Sequence, residues 1–237
     1  MRKINSLKEI INNERGSGML IVMVGMLMAA IFIALMFFDF SNVFIHKRVT
    51  QTGADAAALA AAKSSNLYMS DRLKEETQSE LDALGVRWEN YLRSVLEGED
   101  PPPIAVILAN FVRMEEARHA GRTMPGDVVS WLLNHSIEVK ANSAMRFFFG
   151  DEGVNTLACK FVRENFDNAS KEAERFAKAN QNDDVKTIRF IEKDFRIYVV
   201  TELKAKFTTV SNESIPAITS EASVKIGEPK TFTISCY

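Results

Sequence analysis

The side chains in this chain that could carry covalent or metal chemistry are few and scattered: Cys159 and Cys236, with His46, His119 and His135. A zinc site draws its His and Cys ligands from pairs only a few residues apart, and no such pair occurs among these five residues. A cysteine nucleophile needs a base within hydrogen-bond reach, and the sequence places no histidine beside either thiol. Glu115–Glu116 and Asp183–Asp184 are adjacent acids; neighbours on a helix point to different sides, so they read as solvated faces, not as carboxylates paired for acid–base work. None of the glycines forms a dinucleotide-binding or phosphate-loop motif. The expectation is a chain with no catalytic residue, no cofactor, no metal ligand and no small-molecule substrate.

Without such chemistry, the informative feature is how the residues are segregated. The 237 residues are 46% hydrophobic and 25% charged with a net charge of -2, and nothing in that balance points to nucleic acid. Yet "GMLIVMVGMLMAAIFIALMFF", Gly18 to Phe38, holds no charge at all. As a helix it spans about 31 Å, against a hydrocarbon core of about 30 Å. A cleavable signal has a shorter apolar core and a small-x-small site after it, whereas this run leaves through Phe37, Phe38, Asp39 and Phe40. It reads as a retained membrane anchor with Asp39 at its exit. Arg2, Lys3, Lys8 and Arg15 precede it and only Lys47 and Arg48 follow closely, which predicts a cytoplasmic N-terminus. The chain is therefore expected to be single-pass in the cytoplasmic (inner) membrane, with its C-terminal part periplasmic or extracellular. Residues 1–17 are too short for a signalling domain. On the exported side Cys159 and Cys236 could form a disulfide or remain two buried thiols, since sequence gives no distance.

After the anchor comes "QTGADAAALAAAK", Gln51 to Lys63. Read together with the preceding "ERGSGMLIVMVGMLMAAIFIALMFFDFSNVFIHKRVT", it resembles the N-terminal module of the TadE/TadG-like family of tight-adherence (Flp) pilus assembly. The resemblance rests on Arg15–Gly16 before the anchor, Asp39 at its end, the pair Lys47–Arg48, and the Ala-Asp-Ala-Ala-Ala-Leu-Ala-Ala run from Ala54 to Ala61. It covers about fifty residues of the N-terminal end. It implies a non-enzymatic component whose partners are the membrane and other pilus or secretion subunits, with assembly driven by separate cytoplasmic ATPases. Two family features are missing. Pilin processing requires a glycine followed five residues later by glutamate, but Gly16 is followed there by Ile21 and Gly18 by Met23. The Asp-x-Ser-x-Ser metal loop of larger relatives is also absent.

The remaining elements follow from periodicity. Leu81, Leu84, Trp88, Tyr91 and Val95 form one helical stripe, which "EGEDPPP" ends. Ile104, Ile107, Leu108 and Phe111 predict a second helix, and "MPGDVVSWLLN" a short one with Asp127 as N-cap and Trp131 inward. "HSIEVKANSAMRFFFG" is ambiguous between strand and helix, its Phe147, Phe148 and Phe149 being core or an exposed patch. Val154 to about Asn180 reads as one long helix. From Lys186 to Val210, and again in "ITSEASVKIG" and "KTFTISCY", the pattern is that of strands. The predicted fold is α+β: a tail (1–17), a transmembrane helix (18–38), an extracytoplasmic stalk helix with the alanine segment (39–97), a helical region (98–182) and an antiparallel β region (183–237).

Ala54, Ala57, Ala58 and Ala61 recur at helical spacing, so they form a smooth strip that another backbone can approach closely. The strip, with Asp55 setting register beside it, is expected to contact partner helices, and Gly53 is expected to loosen the helix just before it. Two roles fit: a minor pseudopilin-like subunit, or a platform or priming protein of the assembly. The alternative from another class is a membrane-tethered envelope binding or sensory module unrelated to pili. Pilus ATPase and prepilin peptidase genes alongside would separate them.

Overall fold

The computed structural model describes residues 14–204 and 216–236, with side chains from residue 18 onward. Arg2, Lys3 and Lys8, the side chain of Arg15, residues 205–210 of the expected strand segment, and Tyr237 lie outside the described residues. A single helix, α1 (Glu14–Leu96), runs through the anchor, the alanine segment and the Leu81–Val95 stripe without a break. At 1.5 Å per residue it is about 125 Å long. Four further helices follow: α2 (Ile104–Arg118), α3 (Gly126–Leu133), α4 (Ala141–Glu164) and α5 (Phe166–Ala179). Three strands, β1 (Asp184–Ile191), β2 (Arg196–Leu203) and β3 (Ile218–Lys225), complete the α+β fold.

The strands form one antiparallel sheet in the order β1-β2-β3, in register Phe190↔Ile197 between β1 and β2 and Val199↔Ala222 between β2 and β3. Period-two alternation sends Ile197, Val199 and Thr201 of β2 inward, all fully buried. The opposite face is polar, with Arg189 over the Tyr198 ring and the Tyr198 hydroxyl donating to Glu221. "KTFTISCY" departs from expectation: Phe232, Ile234 and Cys236 do alternate inward, but among the described residues the segment joins no ladder. Side-chain and turn contacts hold it instead. Asn155 Nδ2 donates to Ser235 O and accepts back from Ser235 N at Oδ1, both at 2.8 Å, and Cys236 N donates to Glu192 O at 3.2 Å.

Two cores sit along α1. The first joins Ala54, Met69 and Leu73 to Phe161, Val162, Phe195, Ile197 and the α5 alanines. The second joins Leu81, Leu84 and Trp88 to Ile107, Phe111, Val128 and Trp131. From Thr50 upward residues 39–97 are thus no free stalk: α2, α4, α5, β2 and β3 pack on α1, while β1 packs on β2 and α5. Helix α4 links the cores. It kinks at Gly150 (φ 67°), a left-handed conformation that suits glycine. Arg122 caps the carbonyls freed by the kink, donating from Nε to Phe147 O at 2.7 Å and from Nη2 to Phe148 O at 2.9 Å. The Phe147–Phe149 triplet lies on this helix: Phe147 and Phe148 are buried in the second core, and Phe149 packs against both.

Three local expectations change. Asp127 is not the N-cap of its own helix, a position held by Pro125, although its Oδ1 accepts from Val128 N in the first turn at 3.1 Å. Its Oδ2 accepts from Lys140 N at 2.8 Å and Ser143 Oγ at 3.2 Å, so it serves the start of α4. The long helix expected to run to Asn180 breaks at Asn165 (φ -88°, ψ 0°), whose buried side chain turns in to donate to Ser64 Oγ at 3.2 Å. Gly53 is not a weak point but a socket. A Cβ there would fall 1.9 Å from Asn182 Nδ2 and 2.5 Å from its Cγ, and that amide donates to Thr50 O at 3.1 Å and Thr201 Oγ1 at 2.8 Å.

Gly53→Ala therefore sets two effects against each other. Alanine favours a helix by about 1 kcal/mol, but its methyl group would evict the buried Asn182 amide. We expect the single variant to melt below wild type and Gly53→Ala with Asn182→Ala to recover part of the loss. Thermal unfolding of the four members of the cycle measures the coupling.

Candidate functional site

The alanine strip is placed by α1 alone but completed by α5. Ala54, Ala57, Ala58 and Ala61 are fully buried, and so are Ala169, Ala173 and Ala177 on the facing helix. Small residues on both sides let two backbones come close, so dispersion contacts and shape, not large side chains, hold the pair. The strip is thus occupied by the chain's own α5, which corrects the expectation that it faces partner subunits. The spacing of four in Ala169, Ala173 and Ala177 is the signal that pairs the two segments. Asp55 lies beside the strip and is exposed; its Oδ1 accepts from Gln51 Nε2 at 3.1 Å, and Gln51 Nε2 also donates to Glu221 O of β3 at 3.1 Å. Asp55 therefore helps dock the sheet.

Asp39 lies inside the unbroken helix, with a buried side chain at 7% exposure. Around it the apolar part of α1 is bare: among the described residues, Met19 to Ile45 contains the largest series of exposed hydrophobic residues. It is one helix long and apolar enough to cross a membrane. Cys159 and Cys236 are bonded to each other, with Cα atoms 5.7 Å apart and both side chains buried. The bond ties the last described residue to α4, close to the Arg163–Glu192 ion pair that anchors the β1–β2 turn at 2.9 Å.

The adjacent acids differ from their expected solvated state at one position. Glu115 is fully buried and accepts from Arg87 Nε at 3.2 Å and Nη2 at 3.1 Å, with Arg118 at 3.6 Å. Its neighbour Glu116 accepts from Met124 N at 2.9 Å. The His119 ring packs against Phe147 and Phe148, and its Nε2 lies 3.8 Å from Glu115. Burial lowers the His119 pKa below its ordinary 6.5, opposed by Glu115 and reinforced by Arg122 and Arg87. This cluster ties α2 to α1, since a buried carboxylate must be paired. His135 stacks on Trp131 at 4.3 Å, far in sequence from His46 and separate from the His119 cluster. Among the described residues, no group of three or more His, Cys, Asp or Glu is arranged to hold a metal ion.

Residues 16–64 match the family described as putative Flp pilus-assembly TadE/G-like. No curated protein and no solved structure matches the chain. The matched segment contains the bare apolar helix and the alanine strip, whereas α5, which covers the strip here, lies outside it.

Two outcomes follow from this packing. Ala57→Leu overfills a closed interface and should destabilise by about 1–3 kcal/mol, while Ala56→Leu on a half-exposed face should stay within about 0.5 kcal/mol; chemical denaturation of the two variants compares them. Cys159 and Cys236 close a long loop, for which the chain-entropy account gives about 4.5 kcal/mol. A non-reduced digest should yield the bridged peptide, and reductant should lower the unfolding midpoint.

Proposed function

We propose that this chain is a non-enzymatic, single-pass component of tight-adherence pilus assembly or a related secretion machine, with its N-terminus in the cytoplasm and its folded part outside. The observation that carries the reading is the coincidence of the family match with one uninterrupted helix, bare along its apolar run and packed on one side by the folded part from Thr50 upward. Two features support the orientation. The basic residues Arg2, Lys3, Lys8 and Arg15 precede the apolar run, and a buried disulfide suits an oxidising compartment.

Within that role we favour a platform or priming protein over a filament subunit. Its alanine strip is filled by α5, so lateral helix contacts are confined to the apolar segment. The glutamate expected five residues after a processed glycine is also missing; in a filament core that charge would need a partner. The ectodomain then acts by docking, with helix α2 and the end of α1 presenting Leu96, Ile104 and Val106 at the far end.

Cells carrying an epitope-tagged chain, examined by membrane fractionation and immunogold labelling, test this. The expected result is a membrane-bound protein absent from pilus shafts, with piliation lost when the gene is deleted. Label along the shafts would replace the platform reading with the subunit one. Unchanged piliation in the deletion strain would remove the pilus role.

A further inference from the structure

The outward apolar surface of α1 does not stop where the uncharged run stops. Beyond Phe38, Phe40 is 62% exposed, Phe44 60% and Ile45 57%, with Val43 exposed beside them. The polar residues of the same turns face the other way: Asp39 is buried, Asn42 and His46 are half-buried, and Thr50 continues the covered face. These positions share one side of a helix. Ser41 is the one exposed polar side chain between Asp39 and Lys47. A helix leaving the membrane into water would show the reverse, with polar groups outward and apolar groups covered. The first outward charges are Lys47, which donates through Nζ to Thr219 O, and Arg48. The sheet therefore begins at the level where the apolar surface ends.

Length agrees with this arrangement. Met19 to Ile45 rises about 40 Å, more than the roughly 30 Å of hydrocarbon but close to the 40–45 Å of a bilayer with its headgroup layers.

We propose that Phe40, Val43, Phe44 and Ile45 form a lipid-binding collar seated in the headgroup layer of the outer face of the membrane, with Lys47 and Arg48 at the level of the lipid phosphates. The partner of this surface is the lipid bilayer itself, and the base of the sheet rests on it without an intervening stalk. The inference rests on the membrane-anchored reading above. Its consequence is mechanical. The end of α1 at Leu96 lies about 75 Å further along an unbroken helix, so docking at the far end is held at a fixed reach from the bilayer.

Both native cysteines are bonded, so an added cysteine can be spin-labelled alone. The test uses the full chain in vesicles of phosphatidylethanolamine and phosphatidylglycerol. Labels at Phe32→Cys, Phe40→Cys, Phe44→Cys and Leu59→Cys are compared for collision with oxygen, which concentrates in lipid, and with a water-soluble nickel chelate. The collar predicts an oxygen-to-nickel ratio at Phe40→Cys and Phe44→Cys between those of Phe32→Cys and Leu59→Cys. Ratios equal to that of Leu59→Cys, with Phe32→Cys still lipid-exposed, would overturn the collar and leave the anchor standing. Labels shielded from both reagents would overturn it in favour of a protein neighbour. A water-exposed Phe32→Cys would remove the anchor itself.

Discussion

The close approach of α1 and α5 is the constraint on which the rest depends. Seven alanines face one another across it, all fully buried. Each methyl contributes less than about 1 kcal/mol of hydrophobic burial, so the interface is held by its ends and surroundings as much as by its own surface. At the lower end Asn182 enters the space left by Gly53 and bonds Thr50 O. At the upper end Asn165 donates to Ser64 Oγ. Between these two polar pegs the alanines of α1 and α5 are buried together, and α4, the β1–β2 turn and the sheet add their larger residues, Phe161, Phe195 and Ile197, to the same core.

Farther along α1 the packing changes character. The second core uses aromatic volume, with Trp88 and Phe111 at 5.1 Å and Trp131 against Gly85, whose missing side chain leaves the indole room. Helix α4 must reach both cores and cannot do so straight. Its kink at Gly150 leaves carbonyls without partners, and the Arg122 guanidinium, rigid and permanently charged, is suited to capping two of them at once. The buried Glu115 with Arg87 then fixes α2 against α1. Such a pair adds little net stability, because desolvation offsets its attraction, but breaking one partner is costly and the geometry is specified.

One helix therefore meets two solvents. Below Lys47 most of its apolar side chains face outward and Asp39 is covered, while above Thr50 one side, with Ala54, Ala57, Met69, Leu73, Leu84 and Trp88, faces the protein core and the other side faces out. No break in α1 separates these regimes, so movement of the apolar segment in its surroundings would be transmitted to the folded part as a rigid element. That coupling suits a component whose work is assembly and contact.

Much of this was legible in the residues themselves. An uncharged run of membrane-spanning length, the alanine spacing, the Leu81–Trp88 stripe and the alternation of β2 and β3 are local patterns, and helix and strand periods are local physics. The family resemblance also lay in a contiguous segment, now matched over residues 16–64. What tertiary structure decided was which surface meets which. Sequence showed that Ala54–Ala61 wanted a close neighbour, but only the fold supplied α5 as that neighbour. Glu115 looked solvated beside Glu116 because adjacency carries no information about burial, which came from Arg87 across the helix pair. By itself Gly53 reads as a loose point in a helix, and only the fold brings Asn182, three residues beyond the end of α5, into the space it leaves. Local preference fixes the shape of each element; the pairing of elements depends on volumes and donors distant along the chain, which no short-range pattern records.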